Sequence, residues 1–177
     1  MQKLFRVQKI TAWVYTVTAL AVFLYTLVFM TEYKDLFGLK LKQNSQISFF
    51  HDSVLQTFNR QIFALALLGI LVIVFSFFLE IFSKVPDMFA LVALTALLAA
   101  GIGGAVYAIT NIQAVEVFYR GLDFQYLYLE GMAEYEHKLT TFRVGTGVYL
   151  LQIVSCAAYG AAMAASHVKF KKLSAAE

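Results

Sequence analysis

MFALVALTALLAAGIGGAVYAITNIQAV, Met88 to Val115, contains no charged residue and ends against Glu116. As a helix rising 1.5 Å per residue it exceeds the roughly 30 Å thickness of a bilayer's hydrocarbon core. A lone segment in hydrocarbon can satisfy its backbone N–H and C=O groups only internally, so it must be helical. Transmembrane barrel strands would be about 10 residues long and would alternate in polarity. This run does neither. Small residues recur along it at every fourth position, Ala96, Ala100, Gly104 and Ala108. Such rows let helix backbones approach closely, which is how helices associate where lipid removes any hydrophobic drive between them.

Three more runs repeat the pattern, each bounded by charge: between Lys9 and Glu32, between Arg60 and Glu80, and between Arg143 and Lys169. The composition agrees. Of 177 residues, 60% are hydrophobic and 14% charged, with one proline, which is far more apolar than a soluble domain of this size needs. The first run begins with the basic MQKLFRVQK, as a signal peptide would. Its apolar part is too long, however, and no small-x-small cleavage pattern precedes Glu32, so it reads as a retained span. The chain is therefore expected to be an all-α membrane protein, one integral domain over 1–177. Its spans fall near 10–31, 61–82, 88–113 and 143–167, with outer loops at 32–60 and 114–142.

An even number of spans puts both termini on one side. Basic residues are denser there (Lys3, Arg6, Lys9, Lys84, Lys169, Lys171, Lys172) than in the longer loops, which predicts cytoplasmic termini. Trp13 and Tyr15 are then expected at the inner headgroup level, and Tyr33 and Tyr119 at the outer one. Cys156 is the only cysteine, so an intrachain disulfide and a paired-thiolate zinc site are impossible. With no Asn-x-Ser/Thr sequon either, the chain leans towards a bacterial inner membrane.

The outer loops carry alternating patterns. GLKLKQNSQISFF, 38–50, reads as a β-hairpin, and Phe124 to Leu129 reads as a strand that pairs with it, giving a small outer sheet. Ser53 and Gln56 fit a capping box at the start of helix two. Helix four is expected to begin early, with MAEYEHKLTTF running straight into the span. Four spans with a hairpin in the first outer loop resemble the claudin-like tetraspan shape. The Trp-x-x-Gly-Leu-Trp run and the first-loop cysteine pair that define claudins are absent, so the resemblance is architectural and carries no function.

Span four answers span three with small rows of its own, including Cys156, Gly160 and Ala164. Together with Ala96, Ala100, Gly104 and Ala108, these residues are expected to pack against one another or against another subunit. Gln152, inside span four, is expected to face a partner, not lipid. Span two, apolar all round, reads as the lipid-facing helix, so Gly69 should accept a larger side chain. Thr11, Thr18 and Tyr25 line one face of span one.

Chemistry is sparse. Glu130, Glu134 and His137 share a helical face, and Glu134-x-x-His137 has the spacing of carboxylate-bridged di-iron bundles. Those bundles need a second such motif, which is missing, and His51 could complete only a mononuclear site. A solvated face with Glu134 paired to Lys138 is the plainer reading. No phosphate loop, no activated nucleophile and no charge cluster within the spans is present. No catalytic residue, cofactor or nucleic-acid partner is expected.

The expected function is that of a non-catalytic accessory or assembly subunit that associates with other membrane protein subunits. It would use its small-residue faces and an aromatic outer surface of Phe124, Tyr126 and Tyr128. The alternatives are a homo-oligomeric pore or small-solute transporter, and an enzyme with an outer-face metal.

Overall fold

The computed structural model describes residues 2–28, 49–82, 87–122 and 139–174. Four long helices make up almost all of them: α1 (Gln2–Val28), α2 (Gln56–Phe82), α3 (Met88–Arg120) and α4 (Thr140–Ser174). A π-helical turn, Phe50–Leu55, leads into α2. All four helices are long and apolar enough to cross a membrane, which makes this a multi-pass membrane protein.

Each helix packs on its neighbours in sequence, and α4 closes the ring on α1. The contacts run antiparallel. From the C-terminal end of α1 backwards, Tyr25 meets Thr141, Thr18 meets Ser155 and Tyr15 stacks on Tyr159. The bundle is thus up-down-up-down, the simplest outcome for successive antiparallel spans. Burial on α4 falls on Phe142, Gly145, Tyr149, Gln152, Cys156, Tyr159 and Met163. Steps of three and four residues put them on one inward face.

The core divides along the bundle axis. At the loop end, Tyr25, Phe50, Phe58, Ile62, Ile112, Tyr119, Phe142 and Tyr149 pack together. At the end that carries the chain termini, Tyr15, Val72, Leu94, Leu98, Cys156, Tyr159 and Met163 do so.

Helix ends are set locally. Asp87 caps α3, its carboxylate accepting from the Ala90 N–H at 2.7 Å while its carbonyl accepts from Leu91. At the other end, Arg120 holds Glu116 one turn back, which also places a cation in the last turn where the helix dipole favours it.

Several expectations need correction. Helix two begins before Ser53, which lies inside the π turn and so is not at an N-cap position; Phe49, expected in the hairpin, is already helical. The physical reason is packing. Phe50 and Leu55 are both buried, yet residues five apart on an α-helix point to different faces. The i→i+5 closure of a π turn brings them to the same side. Phe50 there stacks on Phe118, with centroids 5.7 Å apart, and meets Tyr119 at the same distance. Helix four begins at Thr140; Leu139 lies just outside it, its carbonyl accepting from the Arg143 N–H. Tyr15 and Tyr119, expected in the aromatic belts, are buried in the two core clusters, whereas Trp13 is exposed. Among the described residues there is no strand. The remainder of the expected hairpin, the strand Phe124 to Leu129 and Tyr33 lie outside the described residues.

Candidate functional site

Of the seven residues singled out for helix packing, the structure turns four inward to different depths and three outward. Ala108 and Gln152 are buried, Gly104 and Gly160 are half-buried, and Ala96, Ala100 and Ala164 are exposed. The helix itself accounts for the gradient. Four residues overshoot one 3.6-residue turn by about 40°, so a row of every fourth residue winds about 120° around the helix in three steps. The row from Ala96 to Ala108 therefore begins on the outside and ends in the core.

Its inner members serve different neighbours. A Cβ at Gly104 would stand 3.3 Å from Leu65 of α2, and one at Gly160 would stand 3.4 Å from Leu98 of α3. The direct approach of α3 to α4 passes through Gly101, whose Cβ position lies 3.6 Å from the Cys156 sulfur.

Polar side chains tie the helices together from inside. Tyr15 donates to the Gly69 carbonyl at 3.1 Å, Thr18 and Ser155 share a hydrogen bond of 2.7 Å, and Tyr25 donates to the Thr141 carbonyl at 3.1 Å. Thr11, on the same side of α1, bonds back to its own helix. Gln152 donates to the Cys156 sulfur at 3.6 Å. Every buried polar side chain among the described residues is neutral.

Two glycine–tyrosine seats were not anticipated. Gly145 makes room for the Tyr25 ring, and Gly69 lies beneath the Tyr15 hydroxyl and Ala19. Gly69 therefore faces α1, not lipid. The available signal was a tyrosine inside one span with a glycine at matching depth on the antiparallel neighbour.

The outward surface is uneven in texture. On α1, from Trp13 to Leu24, every exposed residue is large: Trp13, Val14, Val17, Leu20 and Leu24. On α2, from Leu67 to Phe78, the same holds for Leu67, Leu71, Val74, Phe77 and Phe78. On α3, from Ala96 to Gly103, the exposed residues are only Ala96, Ala99, Ala100 and Gly103. On α4, from Ala157 to Ala165, they are only Ala157, Ala158, Ala161, Ala164 and Ala165. The contacts of Gly101 with Cys156 and of Gly160 with Leu98 set these two smooth segments at the same depth on adjoining helices.

The outer aromatic residues Phe124, Tyr126 and Tyr128 lie outside the described residues, as do the possible metal ligands Glu130, Glu134 and His137. His51 falls in the π turn, and its side chain is likewise outside the description. Among the described residues no group of three His, Cys, Asp or Glu side chains could hold a metal ion. No family model, curated protein or solved structure matches the chain.

Proposed function

We propose that this protein is a non-catalytic integral membrane accessory or assembly subunit that docks on other membrane protein subunits through the outward face of α3 and α4. The observation that carries this reading is the smooth segment Ala96–Gly103 beside Ala157–Ala165, set against bulky apolar surface on α1 and α2. Exposed alanine and glycine give lipid little to grip. They give another helix close backbone approach, and packing of that kind drives association in a bilayer. Among the described residues the buried polar side chains are all neutral, which supports a structural role over charge transport. In this reading the termini are cytoplasmic, the membrane is a bacterial inner membrane, and the aromatic segment Phe124, Tyr126 and Tyr128 adds a second contact outside it.

A homo-oligomeric pore or small-solute transporter is the second reading, favoured by the same face if the docking helix comes from another copy. Thr18 and Gln152 point into the bundle, so they would not line a pore formed between subunits.

Gentle extraction into lipid nanodiscs, followed by native mass determination, tests both. The expected result is a stoichiometric complex with another membrane protein. Ala100→Leu with Ala161→Leu should release this partner without unfolding the bundle, because both side chains are exposed. A homo-oligomer of defined mass selects the second reading. A lone monomer under every mild condition removes both.

A further inference from the structure

Between the two core clusters, at the centre of the bundle, lies a cavity of about 20 Å³. Gly69, Gly101, Ala19 and Ala66, from α1, α2 and α3, leave the space, while Tyr149 and Gln152 of α4 also line it. Both α4 side chains are more than nine-tenths buried, at 2% and 5% exposure. Neither the Tyr149 hydroxyl nor the Gln152 Oε1 has a hydrogen-bond partner. The Gln152 amide nitrogen is already engaged with Cys156.

An apolar cavity stays empty, but one with room for a water and with buried, unmatched polar side chains among its lining residues is suited to hold one. A water needs about 10–15 Å³ and two to four polar partners. A hard cation would need about six oxygen ligands or more, which this wall does not supply. We propose that the cavity is a hydration site for one structural water. The water accepts from the Tyr149 hydroxyl and donates to the Gln152 amide oxygen, completing the polar centre of the bundle inside the membrane.

The sign of two stability changes tests this, alongside direct observation. Gly101 lines the cavity, and a Cβ there meets only the Cys156 sulfur, at an ordinary 3.6 Å. Gly103 is an exposed glycine of the same helix with nothing within 4 Å of its Cβ position. In the protein purified free of partners, Gly103→Ala therefore measures the gain in helix propensity alone. If water is bound, Gly101→Ala displaces it, leaves two polar groups unmatched, and gives a lower Tm than Gly103→Ala. If the cavity is dry, Gly101→Ala fills a void and gives the higher Tm. Tyr149→Phe likewise lowers Tm when it removes a partner of the water, and raises Tm when it removes a hydroxyl buried without one. A high-resolution structure of the wild-type protein in lipid should show a density peak within hydrogen-bonding distance of both atoms. Clear density for Tyr149 and Gln152 with nothing between them would overturn the proposal, as would a higher Tm for both variants.

Discussion

Gly145 and Tyr25 divide one small volume between α4 and α1. A Cβ at Gly145 would overlap the Tyr25 hydroxyl and the ring edge behind it. Tyr25 is also anchored, through its hydrogen bond to the Thr141 carbonyl and an edge-on contact with Tyr149 at 6.0 Å. It therefore has little freedom to withdraw. Gly145→Ala should destabilise the bundle by about 1–3 kcal/mol, the usual cost of overpacking a tight core, read as a drop in Tm in detergent or lipid. Tyr25→Phe in the same chain should restore part of that loss, because the hydroxyl is the atom nearest the new methyl group. Equal stability of wild type and Gly145→Ala would show that the seat is loose. At Gly69 the same logic reverses the expectation from sequence. Gly69→Leu, beneath Tyr15 and Ala19, should lower Tm, whereas Gly103→Leu, with open space around it, should not.

At the scale of the helices, what could be read from the sequence followed from what each feature depends on. Four charge-free runs with charged boundaries announced four spans, because the cost of charge in hydrocarbon is a local property of the chain. The place of the Cys156 thiol inside the fourth helix was equally local. Which face of a helix looks inward was not local. The four apolar helices carry hydrophobic residues on every side, so periodicity separates lipid from core poorly, and Gly69 was assigned to the wrong neighbour. The row Ala96, Ala100, Gly104 and Ala108 was visible, but its winding from outside to inside appears only when the helix is set in its bundle. The π turn at Phe50–Leu55 was hidden for a similar reason, since it answers to Phe118 and Tyr119, far away in sequence. The Asp87 cap gives this scale its own test. Asp87→Ala removes the acceptor for the Ala90 N–H and should cost about 1 kcal/mol. It should also fray the first turn of α3, seen as faster amide exchange at Ala90 and Leu91. Unchanged exchange there would mean that packing alone holds this end.

The molecule as a whole has two kinds of side. In the ring of four helices, α1 and α2 form one half and α3 and α4 the other. The first half shows lipid large branched and aromatic side chains; the second shows it only alanine and glycine over Ala96–Gly103 and Ala157–Ala165, with large residues such as Val106 and Val154 exposed beyond them. Stability of the single bundle does not require this difference, because exposed residues contribute little to its core. Association does. A photoreactive side chain placed at one outward position per helix would read the distinction directly. Leu20, Leu71, Ala100 and Ala161 are all exposed, and one lies on each helix. Replacing any of them should leave the fold intact. In native membranes, illumination should give protein adducts from positions 100 and 161 and mainly lipid adducts from positions 20 and 71. The mass of the protein adduct then separates a different subunit from a second copy of this chain. Protein adducts at all four positions would mean that the protein is surrounded within its complex, and that surface texture does not choose the docking side. Lipid adducts at all four would mean that the smooth face meets only the bilayer, and the assembly role would fall with it.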